Sequence, residues 1–169
     1  TLHGFIKQVL FSPWVVATML VVGGVLIIVI ERTVQHVRYA SVEHVPVPLA
    51  LKIGFCQALA MVPGVSRSGA TILGAVLMGV ERRTAAEFSF FLAIPTMLGA
   101  TVLDLYKNRH FLASDDLAVI AVGFVMAFLA AILVVRALLA YVQRHSFAVF
   151  GWYRIAAGLV MAVVLLAQG

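Results

Sequence analysis

Chemistry is concentrated in the run Pro63-Gly64-Val65-Ser66-Arg67-Ser68-Gly69-Ala70-Thr71. Three hydroxyls and one guanidinium lie close together there, bracketed by glycines. A guanidinium presents a planar fork that matches two oxygens of one phosphate. Proline has no backbone donor and glycine tolerates strained backbone, so a helix arriving at Pro63-Gly64 stops. Ser66 or Ser68 can cap the helix that leaves. The unpaired N–H groups at such a helix start, with glycines beside them, form an anion site. The pattern therefore predicts a phosphate cradle built from Gly64, Ser66, Arg67, Ser68, Gly69 and Thr71. A blander reading stands beside it. In that reading the serines satisfy the loosened backbone of a kinked membrane helix, and Arg67 pairs with an internal carboxylate. Ser66 and Arg67 are the candidates for a direct part in catalysis. A serine nucleophile needs a neighbouring base, and none is local, so phosphate binding is the preferred role for Ser66 and Ser68.

The surroundings make this run unusual. Apolar residues lead up to it over 49–62 and resume over 72–80. An arginine at membrane depth costs about 3 kcal/mol on insertion scales and marks a functional site by default. The whole chain of 169 residues is 63% hydrophobic and 11% charged. Its mean hydropathy is +1.10. These values exclude an ordinary soluble domain and predict an all-α, polytopic membrane helix bundle. The net charge of +5 falls mostly in short connections between apolar runs, so topology explains it without a nucleic-acid partner. The single cysteine, Cys56, excludes an intramolecular disulfide and reads as a packing residue.

The elements that must position the run follow from the apolar spacing. Residues 1–12 read as a short amphipathic lead-in, with no signal peptide. Membrane spans are predicted over residues 13–30, 85–106, 117–135 and 147–167. Gly23-Gly24 marks either a close helix contact or merely tolerated small residues. Residues 31–48 read as an exposed loop, with His36 and His44 solvated rather than metal-bound; no metal site is predicted in this chain. The segments before Pro63 and after Gly69 reach about 21 Å and 16 Å as helices, too short to cross a bilayer core. A re-entrant hairpin over 49–80 fits both lengths better than one broken helix running straight through. Thr84 with Glu87 matches a capping box, and Glu87 could instead reach inward toward Arg67. Pro95 predicts a kink. Residues 107–116 and 136–146 read as polar connections. Trp152, Tyr153 and Arg154 resemble an interfacial belt with a snorkelling arginine. With re-entry, Arg32, Arg38, Lys52, Arg82, Arg83, Arg136 and Arg144 share one side, against Lys7, Lys107 and Arg109 on the other. That bias makes the first side cytoplasmic.

The nine-residue string, the preceding Gly54-Phe55-Cys56-Gln57-Ala58-Leu59-Ala60-Met61-Val62, and the later Met78-Gly79-Val80, Glu87-Phe88-Ser89-Phe90, Gly99-Ala100-Thr101 and Asp104-Leu105-Tyr106-Lys107 closely resemble the undecaprenyl-diphosphate phosphatase family, also called bacitracin-resistance proteins. The resemblance covers essentially the whole chain. It implies a multi-pass enzyme of the bacterial inner membrane that hydrolyses undecaprenyl diphosphate to the monophosphate carrier used in cell-wall synthesis. It implies an all-helical fold of two inverted repeats, each with a re-entrant hairpin. The active cleft lies where the hairpin tips meet and opens toward the periplasm. The implied partners are a polyprenyl diphosphate, membrane lipids and a divalent cation, Mg or Ca; association into a homo-oligomer is left open. Family members carry a first repeat ahead of the point where this chain starts, with a glutamate-rich motif and a serine-threonine-glycine-histidine motif. Those motifs supply the acids and the histidine, and the metal ligands are expected there. Gln57 and Met61 stand at the corresponding acidic positions of this chain. The chain is thus expected to be the C-terminal portion of the family pattern, holding the arginine and the hydroxyls. Gln57, Glu87 and Ser89 are expected near them. An inactive fragment, or a lipid-phosphate transporter using the same anion site, is the alternative.

Overall fold

A computed structural model describes residues 12–34, 36–109 and 116–168. Nearly all of the predicted lead-in over 1–12, and most of the turn over 107–116, fall outside the described residues. The described chain is six helices with no strand element: α1 Pro13–Thr33, α2 Val47–Gln57, α3 Arg67–Leu77, α4 Arg82–Asn108, α5 Asp116–Arg144 and α6 Ala148–Gln168.

α1 starts where Ser12 accepts a hydrogen bond from the Trp14 N–H at 3.3 Å and Pro13 takes the first helical position. It runs three residues past the expected end, as far as Thr33. Glu31 there meets Arg82 at 3.0 Å. The contact is ionic, because neither carboxylate oxygen finds a donor in hydrogen-bond geometry. The exposed loop contains one short 3-10 turn, Val42–His44, and both His36 and His44 are exposed.

α2 begins two residues earlier than the apolar run suggested, with Pro46 at the cap and Pro48 in its first turn. A 3-10 turn over Ala58–Met61 follows, and then the bend that delivers α3. α3 stops in a Schellman arrangement. Gly79 has φ +87°, its N–H reaches the Val76 carbonyl at 2.9 Å, and the Val80 N–H reaches Ala75 at 3.0 Å. The chain has then come back to where it entered. The N–H groups of Arg38 and Tyr39 donate to the Gly79 carbonyl at 2.7 and 3.1 Å, and the Glu81 N–H donates to Tyr39 at 2.9 Å. Between these ends α2 lies against α3. A Cβ placed on Gly74 would sit 2.7 Å from the Cys56 sulfur, so Cys56 packs where only glycine leaves room. Ile30, Ile53, Ala75, Val76, Val80 and Ala85 form the buried cluster that clamps this hairpin to α1 and α4.

Two expectations about helix ends are corrected. Thr84 does not cap α4; Glu81 holds the cap position and the helix is already under way at Arg82. The left-handed turn at Gly79 ends α3 so sharply that the next helix can start at once. Thr84 is buried instead, its hydroxyl donating to Glu81 Oε2 at 3.5 Å. The connection read over 136–146 is helix as far as Arg144. Residues 137–142 (Ala-Leu-Leu-Ala-Tyr-Val) are mostly strong helix formers, and one charge at Arg136 does not end a helix with that propensity. α4 also continues through Pro95. The Thr96 hydroxyl lies 3.0 Å from the carbonyls of both Leu92 and Ala93, beside the place where proline supplies no N–H.

α1 and α6 form the closest helix pair. A Cβ on Gly24 would lie 2.6 Å from the Gly151 carbonyl, and one on Gly158 would lie 2.9 Å from the Ala17 carbonyl. Of the two readings of Gly23-Gly24, close contact is the one the structure shows. α1, α4, α5 and α6 are each long and apolar enough to cross a membrane. Large apolar side chains such as Phe91, Leu98, Phe124, Leu133 and Leu166 are exposed along them, as a lipid-facing surface requires. The architecture is an all-α polytopic membrane bundle with a folded-back helix pair packed against α1 and α4.

Candidate phosphate site at the hairpin tip

Ser66 caps α3. Its Oγ accepts from the Gly69 N–H at 3.1 Å, and its carbonyl takes the Ala70 N–H at 2.8 Å. The N–H groups of Arg67 and Ser68 lie between these two bonds and have no acceptor among the described residues. They are the donors that a helix start offers an anion. The Ser68 hydroxyl stands 3.2 Å from that of Ser66. No carboxylate or imidazole bonds either hydroxyl among the described residues, so neither serine has the base a nucleophile needs.

Gly64 makes the approach. Its φ is +88°, a conformation open to glycine and strained for other residues. A Cβ there would meet the Val16 carbonyl at 2.7 Å, so the tip rests directly on the backbone of α1. Thr71, expected among the phosphate donors, is fully buried and gives its hydroxyl to the Arg67 carbonyl at 2.9 Å. It braces the first turn of α3 and does not face the open side of the site.

Arg67 has a neutral partner. Its Nη1 donates to the Thr96 hydroxyl at 3.2 Å, and no carboxylate pairs with it among the described residues. The internal ion pair of the blander reading is therefore not formed with any carboxylate among the described residues. Glu87 is elsewhere. It accepts from Arg83 Nε at 2.8 Å. The nine residues that separate it from Thr96 make about 13 Å along α4. Glu87 belongs to a polar cluster with Arg83, Glu81, Ser41 and Gln143 near the start of α4. Ser89 is buried on α4. It lies two turns before Thr96, on the same face. Gln57 is the last residue of α2, half-buried before the 3-10 turn.

A cleft of about 540 Å³ opens from the tip. Its walls are overwhelmingly apolar, with Val22, Leu26, Leu73, Leu138 and Phe150 among them. At its head stand Ser66, Ser68 and Gly69, with Arg154 beside them. The Arg67 side chain is directed toward Thr96 of α4. Arg154 was expected to snorkel outward from the start of α6. It turns inward, and its Nη2 donates to the Gly64 carbonyl at 2.8 Å and the Met19 carbonyl at 3.2 Å. Thr96 and Arg154 are the two site residues that sequence reasoning missed. Thr96 follows a proline inside an apolar span, which is a usable signal. Arg154 beside two aromatics has the pattern of an interfacial belt, and nothing local sets it apart.

The start of α3, the Ser66 and Ser68 hydroxyls and the Arg154 guanidinium thus meet at the head of the cleft, and neither Arg154 nor Arg67 has an acidic partner among the described residues. This is a membrane helix bundle with a serine-capped helix start at the head of an apolar cleft. The chain belongs to the family described as bacitracin resistance protein BacA, whose family model matches residues 1–160. It is 58% identical over 166 residues to undecaprenyl-diphosphatase 2 of Paramagnetospirillum magneticum, covering 98% of this chain and 64% of that protein. It is 58% identical over 165 residues to the undecaprenyl-diphosphatase of Cereibacter sphaeroides, covering 97% of this chain and 62% of the relative. With that of Paracoccus denitrificans the identity is 55% over 164 residues, covering 96% of this chain and 61% of the relative. The chain spans somewhat less than two thirds of the length of these curated relatives. Family membership, expected from the nine-residue string, is confirmed.

Proposed function

We propose that this chain carries the phosphate-gripping half of an undecaprenyl-diphosphate phosphatase. In that role it takes part in hydrolysis of the lipid diphosphate to undecaprenyl phosphate and inorganic phosphate, the recycling step that underlies bacitracin resistance. One observation carries the reading. An apolar cleft of about 540 Å³ ends on the capped start of α3, where two backbone donors, Ser66 and Ser68 stand ready for an anion. A polyprenyl chain fits the walls and a diphosphate fits the head. The names of relatives at 55–58% identity support the same substrate.

In this reading the terminal phosphate sits on the Arg67 and Ser68 N–H groups. Arg67 reaches it from the α4 side and balances the charge that develops on the equatorial oxygens. In phosphoryl transfer, positioning and charge stabilisation carry most of the effect. Ser66 shapes the site as the cap of α3 and supplies a hydroxyl at its edge. The divalent cation implied by the family does not fit the residues described. No group of three or more His, Cys, Asp or Glu comes together among them. The tip itself is positively charged, which disfavours a cation held there by this chain.

The folded-back pair is proposed to re-enter the membrane from the cytoplasmic side of a bacterial inner membrane, with the cleft open to the periplasm. The backbone bonds between residues 38–39 and 79–81 support it by placing both ends of the hairpin together. Cysteines introduced at Glu43 and Arg82, in a background with Cys56 replaced by serine, are expected to label from the same face of sealed vesicles. Labelling from opposite faces would establish a chain that passes straight through. The enzymatic proposal is tested by phosphate release from undecaprenyl diphosphate by the full protein in detergent. Binding without release, in a preparation that folds, would count against it.

A further inference from the structure

We propose that Arg154 is a positioning residue for the phosphate cradle: from α6 its guanidinium bonds the Gly64 and Met19 carbonyls, and so fixes the left-handed turn that aims the N–H groups of α3 at the anion. The proposal rests on the phosphatase reading for its consequence and on this geometry for its cause.

The two bonds span 90 and 135 residues of chain and join three elements at one nitrogen. The route to them is built. A Cβ on Gly23 would stand 2.7 Å from Arg154 Nη2, so glycine there leaves the channel through which the side chain crosses α1. The frame is stiff, since Gly24 and Gly151 bring α1 and α6 into backbone contact within one turn of the arginine on each helix. Gly64 rests on Val16 of the same frame. The turn is therefore held from α1 by contact and from α6 by the arginine.

The energetics indicate that this arginine does more than fill space. A guanidinium among apolar residues is costly to bury. Arg154 has no carboxylate partner among the described residues, and its buried Nε has no acceptor. It also stands at the head of the cleft with Ser66 and Ser68, close to the positive end of α3. An apolar side chain packing α1 against α6 would avoid all of these costs. What it would lose is the grip on the Gly64 carbonyl. That carbonyl belongs to the second residue before Ser66, so its orientation sets where the cap and the free N–H groups point.

Arg154→Met and Arg154→Lys in the full protein test this, read by amide hydrogen exchange without substrate and by phosphate release. Methionine keeps the apolar stem and removes both bonds. Exchange over residues 62–69 is expected to rise about tenfold or more while that of α1 and α4 stays unchanged, as local opening would give. kcat is expected to fall about tenfold with KM changed less, because the lipid chain still fills the cleft while the transition-state contacts are misaligned. Lysine, which keeps charge and donors, should restore part of both. Unchanged exchange over 62–69 would overturn the proposal. So would loosening spread evenly over all helices, or a loosened turn with normal kcat. If the unaltered protein releases no phosphate, the phosphatase reading fails, and the exchange comparison still decides whether Arg154 holds the turn.

Discussion

Arg67→Lys in the full protein is expected to insert and fold like the unaltered chain and to lose about a hundredfold or more in the rate of phosphate release. The loss corresponds to about 3 kcal/mol of transition-state stabilisation, the scale found when one preorganised charged donor is removed. An ammonium keeps the charge but cannot hold two phosphate oxygens in one plane. Folding is spared because Arg67 makes little structure. Its one side-chain hydrogen bond is to a neutral hydroxyl, Thr96 at 3.2 Å, and it pairs with no carboxylate among the described residues. A bond of that kind is worth about 1 kcal/mol. Arg67→Ala should be slower still, with similar folded yield. Specific activity and folded yield measured together separate this from a structural role, in which lysine would rescue and alanine would lower the yield first.

Gly64→Ala is expected to have the opposite signature, a loss of folded protein together with activity. Two costs combine. A residue with a Cβ pays about 1–2 kcal/mol at the left-handed φ of +88°. The new carbon would also stand 2.7 Å from the Val16 carbonyl and 2.9 Å from its Cα, against backbone that cannot rotate away. Overpacking of this kind adds about 1–3 kcal/mol. The thermal midpoint in detergent should fall clearly. Gly99→Ala is the comparison, since a Cβ there meets nothing within 4 Å and Gly99 lies inside a helix. It should be neutral or slightly stabilising. If Gly64→Ala melts like Gly99→Ala, the tip is not seated on α1 as described.

Much of this was legible from local sequence. The apolar run that begins at Pro13 marks the start of α1 where the structure has it. The capped start of α3 was legible because Ser66 to Gly69 form one continuous stretch. The errors share one cause. Thr84 with Glu87 fits a capping box, but the true start of α4 is decided by how Gly79 ends the helix before it. Arg136 looks like the end of a span, but the helix-forming residues behind it carry α5 on to Arg144. Thr71 has the right chemistry for phosphate and the wrong direction, because its place in the first turn of α3 points the hydroxyl at the Arg67 carbonyl. Arg154 and Thr96 reach the site through contacts 29 to 135 residues apart, which no local pattern encodes.

The central claim is that the terminal phosphate of a polyprenyl diphosphate sits on the free N–H groups at the start of α3. Its most direct test is the nitrogen–phosphorus distance in the full protein, measured by solid-state magnetic resonance. The ligand is a methylene-bridged analogue of undecaprenyl diphosphate that resists hydrolysis, and the Ser68 amide carries the nitrogen label. A hydrogen-bonded phosphate oxygen places phosphorus about 4 Å from that nitrogen, and dephasing at this distance is the predicted result, weakened in Arg67→Ala. A bound analogue whose phosphorus lies beyond about 7 Å from the Ser68 nitrogen, too far for any direct hydrogen bond, would contradict the account.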